Sequence, residues 1–150
     1  MFDIKNNLKI VKGLSPATIT ANTSSAECDL KGFSGAMCVV TTGVSGDTLS
    51  GTVFWNITLE HGDTSGALST VTSSKDVTGG TLAANNSWAL INAAGDASNV
   101  FGIGYVGGKQ FLKITITKTG THSNGTIFGA NFIKGHPISA PVSTDTNSGA

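Results

Sequence analysis

Residues 100–142 read VFGIGYVGGKQFLKITITKTGTHSNGTIFGANFIKGHPISAPV and contain two strongly β-patterned runs joined by a polar turn. In residues 110–118 large aliphatic side chains alternate with mostly polar ones, which is typical of a half-buried strand. Residues 126–134 are β-rich but apolar on both faces, which favours a more central strand or a subunit contact. We therefore predict that the two runs form the closing hairpin of a β-sandwich, with its turn at residues 120–125.

Length and charge restrict the classes of protein to consider. A chain of 150 residues fits one domain, and a domain of this size buries roughly 70% of the surface that its unfolded form exposes. Only 12% of the residues are charged, the basic residues are all lysine, and the formal net charge is zero. Nucleic-acid binding needs a basic face that displaces counterions, and arginine supplies the fork that grips phosphate and guanine. We therefore predict that nucleic acid is not a partner.

The composition and the spacing of the apolar residues predict an all-β fold. The chain has 20 Gly and is rich in Thr, Ser and Asn. No window shows a sustained helical period, whereas several short β runs are separated by turn residues. We predict a single β-sandwich or jelly-roll-like domain of about eight antiparallel strands at residues 17–142. An extended N-terminal arm at residues 1–16 precedes it, and a short polar C-terminal tail at residues 143–150 follows it.

The clearest individual strand lies at residues 51–61, where apolar and polar side chains alternate. Trp55 belongs to the apolar set of this run, so we expect its side chain in the core. Residues 62–99 carry only short β pieces among Gly, Ser, Asn and Asp, which predicts a loop-rich region.

The chain carries no pattern of a membrane protein or of a secretory signal. No apolar run approaches the roughly 20 residues that a membrane-spanning helix needs. Residues 1–17 contain three lysines but no apolar core and no small-residue cleavage site. We therefore predict no membrane partner, and a chain that stays in the cytoplasm unless it joins a larger particle.

Three glycines match a nucleotide-binding motif that their context excludes. Gly102, Gly104 and Gly107 have the Gly-x-Gly-x-x-Gly spacing of dinucleotide-binding folds. That motif needs a helix after the glycines, whose amides hold the pyrophosphate, but residues 109–118 continue as a strand. We interpret these glycines as bulges or close backbone approaches and predict no cofactor.

The histidines and cysteines give no metal-ligand pattern. His61, His122 and His136 lack a second ligand at a metal-binding spacing, so we predict no metal site and read His61 as part of a solvated strand end. A hairpin turning around Phe33 would place Cys28 and Cys38 opposite each other. Without an export signal we favour two small buried thiols over a disulfide bond.

Catalysis needs a nucleophile, a base and an orienting group within reach of one another. The chain has no Gly-x-Ser-x-Gly elbow, and its Ser and Thr are too common for any one of them to stand out. We therefore predict no enzyme activity and no catalytic residues. Trp88 and Tyr105, with Trp55 if exposed, would form a platform for sugar rings, although core packing is the favoured interpretation of all three aromatic residues.

Three stretches carry a resemblance to a known family: DLKGFSGAMCVV at residues 29–40, YVGGKQFLKITIT at residues 105–117 and GHPISAPV at residues 135–142. Together with the N-terminal arm, this layout resembles the small decoration, or cement, proteins encoded beside the major capsid protein in many tailed bacteriophages. The resemblance spans most of the chain, and residues 62–99 match only in being loop-rich. It implies a β-sandwich or jelly roll without enzyme activity, often a trimer at three-fold and quasi-three-fold positions of the shell.

The resemblance also implies partners and a location. We expect the chain to bind the major capsid protein and further copies of itself, as a homotrimer on the outer capsid surface, after synthesis in the host cytoplasm. The candidate contact residues are Phe2, Ile4, Leu8, Ile10 and Val11 in the arm, and His136, Pro137, Ile138 and Pro141 in the C-terminal segment. In an alternative interpretation, either segment covers an edge of its own domain.

The sequence also leaves another class of function open. The alternative is a tail-fibre or carbohydrate-binding β-domain of a phage or cell surface. Such a domain would present aromatic side chains from the loops of residues 62–99, and Trp88 is the residue on which that alternative depends.

Overall fold

The structure, a computed structural model, describes residues 3–139 and residue 142. Two antiparallel sheets pack against each other as a β-sandwich, which confirms the predicted fold class. The described strands are β1 (Leu8–Ile19), β2 (Thr23–Ser24), β3 (Cys28–Asp29), β4 (Phe33–Ser45), β5 (Phe54–Thr64), β6 (Ala67–Thr70), β7 (Val77–Thr78), β8 (Ser87–Ile91), β9 (Val100–Tyr105), β10 (Phe111–Thr119) and β11 (Thr126–Pro137).

The first sheet, sheet A, has the strand order β1-β11-β4-β9-β7. Its β11 pairs with β1 from Leu8↔Gly135 to Ile19↔Thr126, and with β4 on its other side. β11 therefore has a hydrogen-bonded neighbour on each edge and lies inside the sheet rather than at its rim. The prediction that this run is a central strand is therefore confirmed.

The second sheet, sheet B, is built around the pair β5 and β10, which run side by side from Phe111↔Gly62 to Thr119↔Phe54. Short strands β2 and β3 continue the sheet beyond β10, and β6 and β8 both pair with β5. Residues 62–99 contain β6, β7, β8 and two single-turn 3₁₀ helices at Ser74–Asp76 and Ala94–Asp96. The prediction of a loop-rich middle region is confirmed.

The core lies between the two sheets and contains Trp55 at its centre. The Trp55 side chain is fully buried, and its ring packs on those of His122 and Phe128 at centroid distances of 4.2 and 5.3 Å. Its Nε1–H donates a hydrogen bond to Thr126 Oγ1 at 3.1 Å, which links β5 of sheet B to β11 of sheet A. The predicted position of Trp55 is therefore confirmed.

The predicted closing hairpin is wrong. β10 lies in sheet B and β11 in sheet A, so residues 120–125 cross from one sheet to the other instead of forming a tight turn. The alternation of residues 110–118 fixes which side chains are buried, but it does not determine which strand is the hydrogen-bonded neighbour. Gly120 and Gly125, with φ of +81° and +75°, adopt the left-handed conformation where the chain changes direction.

The predicted boundary between arm and domain at residue 16 falls inside β1. Residues 8–16 belong to an edge strand of sheet A, as in the alternative interpretation of the arm. Register shifts between Lys12 and Leu14 and between Leu14 and Ala17 mark bulges, where Pro16 is tolerated because an edge strand leaves its outer side unpaired. The predicted tail at residues 143–150 lies outside the described residues.

The predicted hairpin around Phe33 is also wrong, because Cys28 lies in β3 of sheet B and Cys38 in β4 of sheet A. Both cysteines are free thiols and are buried. Burial raises the pKa of Cys28 to about 11, and burial likewise raises the pKa of Cys38 well above its ordinary value. Neither sulfur is therefore a reactive thiolate near neutral pH.

We expect both thiols to resist modification in the folded protein. Added to native protein at pH 8, a thiol reagent such as dithionitrobenzoate should react slowly, because the sulfurs are shielded and protonated. In urea both should react at the rate of an exposed cysteine. Rapid reaction of either cysteine in native protein would contradict the described packing.

Within the part of the chain that the structure describes, we find no helix with the length and apolar character needed to cross a lipid bilayer.

Candidate functional site

The outer face of sheet B is mostly polar, with Leu90 as an exposed apolar residue, and its polar groups bond to one another. Lys113 Nζ lies 2.7 Å from Glu60 Oε2, and Thr115 Oγ1 donates a hydrogen bond to Glu60 Oε1 at 2.9 Å. The hydroxyls of Ser24 and Thr115 lie 3.2 Å apart. These pairs run across neighbouring strands, as expected of an ordinary solvated sheet face.

The outer face of sheet A is largely apolar, although Lys12, Thr41 and Asn131 also point outward, and we call it the open face. On β4, β9 and β11 alternate residues such as Cys38, Ile103 and Phe132 are buried in the core, so the residues between them point outward. The register places one outward row across four strands as Ile10, Ile133, Met37 and Gly104. The large apolar residues of the open face are Leu8, Ile10, Met37, Val39, Val100, Val106, Ile127 and Ile133.

Several of these side chains are well exposed. Val100 retains 68% of its accessible surface, Ile10 retains 55% and Met37 retains 45%. Single exposed aliphatic residues are normal, but a contiguous group on one sheet face marks an interaction surface in most proteins.

Glycines make the open face smooth. A Cβ on Gly102 would lie 2.5 Å from Met37 Cε, and one on Gly43 would lie 2.9 Å from Ile127 Cβ. The space above each glycine is thus taken by a long side chain from the next strand. A Cβ on Gly104 would likewise lie 2.5 Å from Thr78 Cγ2. The interpretation as a close backbone approach is confirmed for Gly104, where an added Cβ would also lie 3.2 Å from the Thr78 carbonyl oxygen. The strand is followed by a loop and β10 rather than a helix.

Two shallow depressions lie on the open face, one extending across the strands of sheet A and one at its β1 edge. One, of about 380 Å³, is lined by residues that include Leu8, Met37, Ile133 and His136. The other, of about 370 Å³, is lined by Ile4, Lys5, Leu8, Ile10 and Ile133. Leu8 and Ile133 contribute to both depressions, so the two form one continuous apolar surface.

The structure brings together four of the nine contact residues predicted from the sequence, namely Ile4, Leu8, Ile10 and His136. Leu8 pairs with Gly135, so the N-terminal segment and the Gly-His-Pro segment lie side by side. Leu8 and His136 line the same depression. The two separately predicted contact segments therefore belong to one surface.

The remaining predicted contact residues are distributed differently. Val11 packs against the core, because it alternates with Ile10 along β1, and it is therefore not part of the open face. Pro137 ends β11 opposite Phe33, and Ile138 beyond it is 80% exposed. Phe2 and Pro141 lie outside the described residues.

Sequence reasoning missed the central residues of the open face, namely Met37, Val39, Val100, Val106 and Ile127. Two signals pointed to them. Residues 36–40 read AMCVV and are apolar on both faces, like residues 126–134. The alternate glycines of β9 leave space on one face of the sheet, which the side chains of neighbouring strands, such as Met37, can cover.

The aromatic residues considered for a sugar platform do not form one. Trp55 and Tyr105 are buried, which confirms the core interpretation of both. The Tyr105 hydroxyl is hydrogen-bonded to His61 Nδ1 at 2.8 Å and accepts from the Lys109 N–H at 3.1 Å, and burial raises the pKa of Tyr105. His61 is thus a partner of the core rather than part of a solvated strand end. The Trp88 ring is half-buried, and its Nε1 is shielded from solvent.

The acidic, histidine and cysteine side chains are dispersed. Among residues 3–139 and residue 142, no three of these side chains are close enough together to hold a metal ion. The most buried histidine, His122, has its Nε2 3.1 Å from the Thr119 carbonyl oxygen and its Nδ1 3.8 Å from Asp47 Oδ2. We interpret this histidine as part of the packing around Trp55.

No protein-family model matches this chain, and no curated protein matches it either. Among solved structures, it is similar to the SPBc2 prophage-derived protein YomS, with 12% identity, a TM-score of 0.49, and coverage of 85% of this chain and 92% of that one. The P-domain of Macrobrachium rosenbergii nodavirus gives 12% identity and a TM-score of 0.33, covering 90% and 94% of the two chains. A xylan-binding domain of carbohydrate-binding module family 22 gives 8% identity and a TM-score of 0.37, covering 89% and 88%. These likenesses are remote in sequence and partial in shape, so we infer the function of this chain from its own residues.

Proposed function

We propose that this chain is a capsid decoration protein that attaches by its open face to the outside of a phage head, at junctions between major capsid subunits. The observation that carries this proposal is the open face itself, a largely apolar surface on the outside of a sandwich whose other face is mostly polar. An apolar face of this kind stabilises a complex when a partner covers it.

The shape of the open face favours a protein partner. The side chains of Met37 and Ile127 lie over glycines, so the face is smooth and its depressions are shallow. Small molecules bind in concave sites that enclose most of their surface, whereas stable protein interfaces cover on the order of 800 Å² on each partner. A broad sheet face with few charges is therefore better suited to a protein partner than to a small molecule.

Lysines at the β1 margin add a preference for an acidic partner surface. Lys5 borders one apolar depression, and Lys12, exposed on β1, pairs in register with Asn131. Complementary charges at the margin of an interface steer association and fix its orientation. We propose that the capsid surface presents carboxylates next to an apolar patch.

We further propose that the protein acts as a homotrimer at the three-fold and quasi-three-fold positions of the shell. Three linked copies need only a modest contact each, because the second and third contacts form at a high effective concentration once the first has formed. The resulting clamp would hold neighbouring capsid subunits together against outward pressure. Such a role is mechanical and needs no catalytic group or cofactor.

Sedimentation with purified empty capsids tests this proposal. The protein is expected to pellet with the shells and to saturate them at a fixed ratio to the major capsid protein. A variant with Thr117→Ala on the polar face of sheet B, which leaves the open face intact, should pellet equally well. Protein that remains in the supernatant at every concentration, with shells of its own phage, would contradict the proposal.

A further inference from the structure

A cleft of about 430 Å³ opens at one end of the sandwich, between the turn that follows β3 and the loop from β9 to β10. Polar and apolar groups share its walls. The side chains that matter most are Lys31, Phe33, Ser34, Asp63, Lys109 and Gln110. The cleft shares Tyr105 with one open-face depression but is otherwise built from different residues.

Hydrogen bonds connect the two walls of the cleft, namely the turn after β3 and the loop from β9 to β10. Asp29 Oδ1 accepts from the Lys31 N–H at 2.8 Å and from Gln110 Nε2 at 3.1 Å. The Leu30 N–H donates to the Gln110 carbonyl oxygen at 2.7 Å. One N–H of the Gln110 side-chain amide is therefore bound to Asp29. Among the described residues its Oε1 and its second N–H have no hydrogen-bond partner, so both are available to a ligand.

Asp63 and Lys109 also line the cleft and form an ion pair. Lys109 Nζ lies 2.5 Å from Asp63 Oδ2, so an ammonium and a carboxylate stand side by side. Both side chains are exposed. Among the described residues, Asp63 Oδ1 and the other ammonium hydrogens have no hydrogen-bond partner, so they can bind hydroxyl groups. The Lys109 backbone N–H is bound to the Tyr105 hydroxyl, which anchors the loop to the core.

Phe33 supplies the aromatic wall. Lys134 Nζ lies 4.5 Å from the centroid of its ring and also donates to the Asp29 carbonyl oxygen at 2.9 Å. The lysine is almost fully buried, so this cation–π contact holds the ring in one position.

We infer that this cleft binds a sugar ring of a saccharide. A pyranose presents apolar C–H faces and a rim of hydroxyl groups that both donate and accept hydrogen bonds. The cleft offers an aromatic ring beside an amide, a carboxylate, an ammonium and the Ser34 hydroxyl, which match both parts of a sugar. A phosphate ligand fits less well. The charge of Lys109 is already balanced by Asp63, so it contributes little attraction for an anion, and the Asp63 carboxylate would lie close to the bound phosphate.

This inference goes beyond capsid attachment and does not depend on it. A decoration protein that also binds saccharides would hold the particle near a glycan-coated surface. Loss of sugar binding would leave attachment through the open face unaffected, and loss of attachment would leave sugar binding in the cleft unaffected.

Nuclear magnetic resonance with isotope-labelled protein tests the inference. The probes are xylohexaose, cellohexaose, chitohexaose and an oligomer of guluronate, which cover neutral, acetylated and acidic sugars. At least one probe is expected to shift the backbone amides of residues 30–34 and 108–110 at roughly millimolar concentration. Asp63→Asn, which preserves the shape of the side chain, and Gln110→Ala should each weaken binding by about tenfold or more.

Thr117→Ala on sheet B provides the matched control and should bind the same probe as well as the unaltered protein does. Spectra of the free variants show whether each is folded before the titration. The inference is overturned if no probe shifts the amides of the cleft, if the shifts centre on Trp88 instead, or if folded Asp63→Asn and Gln110→Ala proteins bind as well as the control.

Discussion

Ile133→Glu is expected to weaken attachment to the capsid at least about 100-fold, the largest effect on function that we predict for a single substitution. Ile133 lies on β11, which is the second strand of sheet A, between Ile10 on β1 and Met37 on β4. A carboxylate at this point would have to lose its water of hydration when the capsid surface covers it. In a trimer every copy carries the change, so the loss at each contact is compounded.

Thr117→Glu is the matched control for this substitution. It places the same charge on the polar face of sheet B, and we expect it to leave attachment within about twofold of the unaltered protein. Circular dichroism and thermal unfolding should show that both variants are folded, because both positions face outward. The open face is not the attachment surface if Ile133→Glu protein still saturates the shells at the original concentration.

Trp55→Ala is expected to have the largest effect on stability, lowering the free energy of unfolding by about 3–5 kcal/mol. The substitution removes a fully buried ring that packs on His122 and Phe128, and it also removes the hydrogen bond to Thr126 that links the two sheets. A domain of this size is stable by only about 5–15 kcal/mol, so the variant should be close to unfolding at physiological temperature.

Urea unfolding followed by circular dichroism measures this loss. Trp55→Phe keeps part of the packing and loses only the hydrogen bond and some volume, so its cost should be clearly smaller than that of Trp55→Ala. Equal stability of Trp55→Ala and the unaltered protein would show that this residue does not hold the two sheets together.

Local patterns in the sequence predict the strands well and their pairing poorly. The alternation in residues 110–118 and 51–61 correctly identifies which side chains are buried, because side-chain direction has a period of two residues along any strand. Both predicted hairpins were wrong for one reason. Each assumed that consecutive β runs pair with each other, whereas in this sandwich β3 and β10 are followed by strands of the opposite sheet.

The candidate site could be predicted only in pieces. Ile4, Leu8, Ile10 and His136 were identified from exposed apolar segments at the two ends of the chain, but nothing in the sequence shows that these ends pair as β1 and β11. Because residues 1–16 were predicted to be an arm without regular alternation, Val11 was predicted to be a contact residue like Leu8 and Ile10. Once the segment is a strand, alternation turns Val11 toward the core.

Met37 illustrates why the centre of the open face is hidden in the sequence. It lies in a run that is apolar on both faces, and such a run is consistent with a strand buried on both sides. Only the packing of the two sheets shows that Cys38 faces the core while Met37 faces outward over Gly102.

Electron cryomicroscopy of empty capsids saturated with this protein tests the central claim most directly. Our account predicts density for the sandwich at the junctions between major capsid subunits, with the open face of sheet A against the shell and the polar face of sheet B toward solvent. Shells without this density at saturating protein, or with sheet B against the capsid and the open face exposed, would contradict it.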